Sequence, residues 1–369
     1  MTSADAHRPA GRSGAVLEGL AGWVPPRRIT NDDLPAAWDV DDTWVRRRTG
    51  ITARHWAGPG VRTGELALEA AVRALAVAGD PVPDTVLVAT STPDVPMPAM
   101  APLLSTRLGL DRAAAWDISA ACSGFGYGLA TAVGVIASGA AERVLLVAAE
   151  VYSTLVDPAD RGAGIVFADG AGAVVLRRGT HGEPGSVLAF DLGSDGSGHE
   201  LIRIPGGGAA ERADPAAHTP ADRHFRMRGR EVFRHAVTRM TESSRAVLDR
   251  TAWTTDDVDR FVAHQANARI LKEVAERLQL PAQRQVSNIE HVGNTGAASI
   301  PLALADAASR GLLTPGQRVL LTSFGAGLTW ASATLLWPEL SAVPPVRTPP
   351  QASLRTPPQA SSHTPPQAS

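Results

Sequence analysis

Apolar residues along this chain fall into two alternating patterns. Short continuous runs rich in β-branched residues are "TVLVAT" (85–90), "RVLLVAAE" (143–150), "GAVVLRR" (172–178), "RFVAHQ" (260–265), "RVLLTSF" (318–324) and "SATLLW" (332–337). They read as buried strands. Between them lie Ala-rich stretches of helical period, such as "TGELALEAAVRALAVAG" (63–79) and "ASIPLALADAASRGLL" (298–313). Strands alternating with helices predict an α/β fold with a mostly parallel sheet.

The pattern repeats. "VLVA" at 86–89 is echoed by "FVAH" at 261–264, and "RVLLVAAE" at 143–150 by "RVLLTSFG" at 318–325. The interval from Val86 to Val144 is 58 residues, and that from Phe261 to Val319 is also 58. Chance likeness of generic strands gives one account. Two similar halves give the simpler one, and a duplicated fold places a site between them.

The ends break the pattern. Residues 1–13 read as a polar leader, and from Pro338 the chain turns to Pro, Ser, Gln and Thr, with "TPPQAS" at 348, 356 and 364. Proline fixes φ and removes donors, so 338–369 is expected to be disordered or polyproline-like. The domain expectation is therefore a leader (1–13), an N-terminal half (14–185), a C-terminal half (186–337) and a tail (338–369).

Composition narrows the classes. The 369 residues carry a net charge of −2, so no basic surplus argues for nucleic acid. A single cysteine makes no intramolecular disulfide, and no Cys/His cluster has zinc-ligand spacing. No run of about 18 apolar residues suggests a membrane span, and the polar N-terminus "MTSADAHRPAGRSG" lacks the apolar region of a signal peptide. The expectation is a cytoplasmic protein with no metal and no membrane partner.

The lone cysteine, Cys122, lies in "DISAACSGFGYG" (117–128). "AAWDIS" before it suits a strand, and "SGFGYGLATAVGVIASG" after it suits a helix. At such a junction the helix dipole and free N–H groups favour a thiolate. A small buried hydrophobe is the other reading. His264 ends a predicted strand, where α/β sites cluster, although histidines there are often structural. Asn294, in "GNTG", suits a turn or a cap. "SFGAGLTW" (323–330) is a glycine-interrupted turn suited to presenting backbone N–H groups.

Together these segments resemble the β-ketoacyl-acyl-carrier-protein synthase III family of the thiolase superfamily. The matching pieces are "DDTWVRRRTGITAR" (41–54), "DISAACSGFGYGL", "DRGAGIVFADGAGAVVL" (160–176), "FRMRGREVF" (225–233), "VAHQANARI" (262–270), "HVGNTGAASIPLAL" (291–304) and "SFGAGLTWASA" (323–333). They occur in the family's order across roughly residues 14–337. The resemblance implies a thiolase-like fold, two similar halves in a five-layered α/β/α/β/α core.

It also implies roles. Cys122 takes the position of the acyl-accepting nucleophile, and His264 and Asn294 the other two catalytic positions. Backbone N–H groups of Cys122 and Ala326 form the oxyanion hole. Trp44 and Arg161 match positions that sandwich the adenine of coenzyme A, and Arg48 its phosphates. Met97, Phe167 and Phe233 match the acyl pocket, with Met97 reaching in from the other subunit. Arg269 matches a position for docking the carrier protein. The implied substrates are acyl-CoA and malonyl-acyl-carrier protein, with no separate cofactor, in a homodimer. The implied reaction is decarboxylative condensation that starts a fatty-acid or polyketide chain.

Two departures stand out. Gly325-Ala326-Gly327 replaces three glycines, and Met97 replaces a frequent phenylalanine, which predicts a differently shaped acyl pocket. Two other functions fit the fold: transfer of the acyl group from Cys122 to an alcohol, amine or carrier thiol without condensation, and a non-catalytic partner subunit. Retention of Cys122, His264 and Asn294 together favours condensation.

Overall fold

A computed structural model describes residues 13–341 and Val343. In chain order the strands are β1 (Ser13–Trp23), β2 (Arg28–Thr30), β3 (Ala53–His55), β4 (Thr85–Ala89), β5 (Ala114–Ile118), β6 (Arg143–Val151), β7 (Asp169–Thr180), β8 (Val187–Ser194), β9 (Ile202–Arg203), β10 (Arg226–Met227), β11 (Arg260–Ala263), β12 (Gln285–Val286), β13 (Arg318–Gly325) and β14 (Thr329–Leu336). Two five-stranded sheets dominate, ordered β1-β7-β6-β4-β5 and β8-β14-β13-β11-β12. The second repeats the first.

The repetition extends to register. Thr85 faces Val144 across the parallel β4–β6 pair, and Arg260 faces Val319 across β11–β13. The two facing pairs are equally far apart in sequence, so the echoed strands occupy equivalent places in the two sheets.

Each sheet is mixed rather than mostly parallel. β4 pairs in parallel with β5 and β6, and β11 with β12 and β13, while the remaining pairings are antiparallel. A three-residue connection joins β13 to β14, and so short a link permits only a hairpin.

Five layers follow from which helices cover which sheet face. Helices Gly124–Ala137 and Ser299–Ser309 lie between the sheets, in one apolar core that includes Leu146, Leu176, Leu302, Leu321 and Leu335. The helix Thr63–Val77 packs on the outer face of the first sheet, and Gly229–Thr251 on that of the second. Strands covered on both faces bury every residue and are largely apolar: all five residues of β4 are buried, and four of them are apolar.

Two expectations at the ends need adjustment. β1 starts at Ser13, the last residue of the expected leader; residues 1–12 lie outside the described residues. The expected disordered tail begins too early. Trp337 and Pro338 are buried, and Leu340 and Val343 pack on the central core. Their apolar side chains find the core edge before the Thr-Pro-Pro repeats begin. Those repeats lie outside the described residues. Among the described residues, no helix is long and apolar enough to cross a membrane.

Candidate active site

Cys122 sits in a one-turn 3-10 segment, Ala121–Ser123, between β5 and the helix Gly124–Ala137. Ala121 takes the left-handed conformation at φ 45°, which makes the junction sharp. The β13–β14 hairpin closes over this turn from the other half. The hydroxyl of Thr329 donates to the carbonyl of Ala120 at 3.2 Å, and Ser123 Oγ donates to the carbonyl of Thr329 at 3.1 Å. Gly325 packs so tightly here that a Cβ would lie 2.7 Å from the backbone N of Cys122. Glycine at 325 therefore has a steric cause, whereas Ala326 keeps a negative φ that any residue adopts.

The same hairpin brings Ala326 to the wall of a cavity of about 420 Å³. Cys122, His264, Asn294, Phe167, Phe233, Arg48 and Arg269 share that wall. Residues predicted from segments more than 170 positions apart thus meet at one place, between the halves. Trp44 and Arg161 stand outside the lining. The guanidinium carbons of Arg48 and Arg161 lie 4.0 and 5.3 Å from the Trp44 ring centroid. Arg161 also donates to the carbonyl of Trp38 at 3.0 Å.

The apolar end of the cavity is aromatic. Phe167 stacks on Tyr152 at 5.0 Å between centroids and meets Phe225 edge-on at 4.6 Å. Phe233 lies apart from this trio, with the Arg269 guanidinium 5.9 Å from its ring. Met97 does not line the cavity of its own chain and is 85% exposed.

Burial governs the electrostatics, and it corrects the sequence-based expectation for Cys122. The thiol is pushed up to about 12, chiefly by desolvation and then by the nearby Glu150 carboxylate. Hydrogen bonds from Tyr152 and from the backbone at Cys122 oppose this only in part. Loss of water thus opposes the thiolate that a strand-to-helix junction favours. Glu150, fully buried at the end of β6, is itself pushed up to about 8 by desolvation. It accepts from Thr92 Oγ1 at 2.8 Å and from the backbone N–H of Ser91 at 3.0 Å.

His264 is 2% exposed, and burial holds it down at about 3, so the imidazole is neutral. Its Nδ1 lies 2.6 Å from Ser299 Oγ. Asn294 is held by both halves. Its backbone N–H donates to the carbonyl of Val166 at 3.0 Å, and its carbonyl accepts from Ala168 at 2.8 Å. Its Oδ1 accepts from the backbone N–H of Gly296 at 3.0 Å, which orients the amide nitrogen toward the Ala266 carbonyl at 3.5 Å.

Two carboxylates in the matching motifs have structural work. Asp160 caps a short helical turn by accepting from Gly162. Asp169 is buried and accepts from Ala57 N at 2.7 Å and Ser153 N at 2.8 Å. Sequence reasoning did not single out Tyr152, Glu150 or Ser299. Ser299 was readable only as the start of a helix, and Glu150 only as the polar residue ending an apolar run.

The family described as 3-Oxoacyl-[acyl-carrier-protein (ACP)] synthase III matches residues 116–196, and its C-terminal counterpart matches residues 248–337. Beta-ketoacyl-[acyl-carrier-protein] synthase III 5 of Streptomyces coelicolor is 55% identical over 332 residues, covering 90% of this chain and 100% of that protein. Beta-ketoacyl-[acyl-carrier-protein] synthase III of Pseudomonas aeruginosa PAO1 is 50% identical, over 88% of this chain and 97% of its own length. Among solved structures, FabH from Pseudomonas aeruginosa PAO1 superposes with a TM-score of 0.84 at 48% identity, over 89% of this chain and 99% of that one. The priming beta-ketosynthase from the R1128 polyketide biosynthetic pathway superposes with a TM-score of 0.82 at 33% identity, over 90% of this chain and 98% of that one.

Proposed function

Because this chain belongs to the β-ketoacyl-[acyl-carrier-protein] synthase III family, we propose that it condenses an acyl-CoA starter with malonyl-acyl-carrier protein through an acyl-Cys122 intermediate. The observation that carries this reading is the convergence of Cys122, His264, Asn294 and Ala326 on one cavity.

The chemistry uses each group in turn. In the first half-reaction the Cys122 sulfur attacks the thioester carbonyl, and coenzyme A leaves as its thiol. A soft sulfur suits exchange between thioesters. The backbone N–H groups of Cys122 and Ala326 are the donors for the tetrahedral oxyanion. In other oxyanion holes such a donor is worth about 2.7–4 kcal/mol.

In the second half-reaction the malonyl thioester loses CO2, and negative charge develops on its carbonyl oxygen as the enolate forms. No base is needed. The neutral His264 imidazole and the Asn294 amide both donate hydrogen bonds to that oxygen. The enolate carbon then attacks the acyl-Cys122 carbonyl and expels the sulfur. The product is a 3-oxoacyl thioester on the carrier protein.

Coenzyme A is a substrate in this reading, and no separate cofactor takes part. Arg48, Trp44 and Arg161 form its binding group at the cavity mouth, supported by the stacking of Arg48 on Trp44. Arg269, at the cavity rim, meets the carrier protein. The reading extends to a cytoplasmic homodimer. Its support is Met97, exposed on its own chain and suited to the partner's acyl pocket, and β5, a sheet edge.

The test uses the purified chain. Short acyl-CoAs should add one acyl mass to Cys122, and Cys122→Ser should abolish the stable thioester. Labelled malonyl-carrier protein should then release CO2 and give a 3-oxoacyl product. Acylation without CO2 release across a broad starter panel would leave simple acyl transfer instead.

A further inference from the structure

A neutral imidazole has one N–H, and the nitrogen that holds it decides whether the substrate-facing edge donates or accepts. His264 lines the cavity, and its Nδ1 faces Ser299 Oγ at 2.6 Å. That distance fits a bond in either direction. The second neighbour of Ser299 breaks the tie. The backbone N–H of Gln265 donates to the same oxygen at 3.3 Å.

Ser299 Oγ then has one hydrogen to place. Among the described residues its only hydrogen-bond partners are the Gln265 N–H, which is a donor, and His264 Nδ1. Ser299 is 2% exposed, which shields that hydrogen from bulk water. If Nδ1 carried the proton, the hydroxyl would face two donors and leave its own hydrogen buried and unpaired. That arrangement costs free energy a serine in this setting does not recover.

We propose that Ser299 is a positioning residue that donates to His264 Nδ1 and thereby fixes the imidazole proton on Nε2, facing the enolate oxygen. The proposal rests on the condensing reading above. Ser299 arrives there through the chain's own geometry. It is the first residue of the helix Ser299–Ser309, entered directly from the 3-10 turn Gly296–Ala298 that follows Asn294. One short turn therefore delivers the Asn294 amide and orients the His264 N–H.

The test is a long-range ¹H–¹⁵N correlation spectrum of the full chain labelled at histidine nitrogens, with His264→Gln assigning the signal. The wild type should show the Nε2–H tautomer near neutral pH. Ser299→Ala should give a mixed or Nδ1–H pattern. Its condensation kcat should fall on the order of 10²-fold, with KM for malonyl-carrier protein little changed. Acylation of Cys122 should stay within about 3-fold of wild type. Ser299→Thr should restore the Nε2–H signal and most of the condensation.

An Nδ1–H signal in the wild type would overturn the proposal. So would a Ser299→Ala protein that keeps both tautomer and condensation rate. If Ser299→Ala does not fold, the wild-type spectrum still decides. If the wild type neither acylates nor condenses, the condensing reading fails, while the tautomer assignment separately decides the Ser299–His264 bond.

Discussion

Phe167 and Asn294 pair through an isolated parallel bridge that joins the two halves at the cavity wall. The bridge fixes the Asn294 backbone, and the Gly296 N–H at 3.0 Å fixes its Oδ1. Only the amide nitrogen is left to face a substrate oxygen.

Replacing that nitrogen by oxygen should therefore separate the half-reactions. Asn294→Asp retains an acceptor for Gly296 but turns a carboxylate oxygen toward the developing enolate. We expect CO2 release and condensation to fall by about 10²–10³-fold, while intact-mass measurement shows Cys122 still acylated by acyl-CoA. Equal loss of both steps would contradict a donor role confined to the second.

The thiol should respond to Glu150. This carboxyl, held up at about 8, acquires its charge as pH rises through that value, and its charge pushes Cys122 further up. In Glu150→Gln the apparent ionisation of Cys122 should move down. Alkylation by iodoacetamide between roughly pH 7 and 9 should climb faster in the variant than in wild type. Superimposable profiles would remove Glu150 from the sulfur's surroundings.

His264 and Glu150 should tilt stability in opposite directions. His264 is depressed to about 3, so as pH falls from its ordinary 6.5 the unfolded chain binds a proton that the folded chain refuses. Stability is lost toward acid across that window. Glu150 is raised from 4.5 to about 8, so the unfolded chain releases its proton first and stability is lost as pH rises through that range. Urea unfolding across both windows should be flatter on the acid side for His264→Gln and on the upper side for Glu150→Gln. Differences on the order of a few kcal/mol are expected. Unchanged slopes in either variant would contradict the corresponding burial effect.

Gly296 tests the packing beneath the site. Its φ is 56°, and an added Cβ would meet Tyr152 Cε2 at 2.1 Å. Gly296→Ala should cost about 2–4 kcal/mol from backbone strain and overpacking together. Trimming the ring with Tyr152→Leu should recover part of that loss in the double variant. Strictly additive effects, read from urea midpoints, would mean the two side chains do not collide.

At the cavity mouth, Arg48→Ala removes both a cavity-wall cation and the cover of Trp44. KM for acyl-CoA should rise about 10-fold, with kcat for condensation nearly unchanged once Cys122 is loaded. A fall in kcat alone would move Arg48 out of coenzyme A binding.

Much of this was legible in the chain. The echoed runs at 86–89 and 261–264 became β4 and β11 with matching registers, because period and β-branched content reflect burial on both faces. Cys122, His264 and Asn294 were ambiguous one at a time and were singled out only by the resemblance of their ordered motifs to the family; the structure lines them all on one cavity. Other features had no local signature. The ionisation of Cys122 also depends on burial by segments far away in sequence, a desolvation that raises it and that a dipole argument from "ACSGFG" leaves out. Ser299 carried no sequence signal of its own inside the helical stretch 298–313, since its partner His264 lies 35 residues earlier. The packing of Leu340 and Val343 was hidden by the proline-rich composition around them.

The matched registers of the two sheets carry a final consequence for how such a protein changes. Sliding β4 or β11 by one residue would turn each of its side chains to the opposite face of its sheet, away from the neighbours it now packs against. The strand ends that carry the reacting groups are thus fixed in whole steps and cannot be tuned gradually. The connections, such as the segment around Met97 and the stretch between β9 and β10, carry no such constraint and tolerate change in smaller steps. The frame acts as a ruler with fixed gradations, and finer variation belongs to the segments strung between its marks.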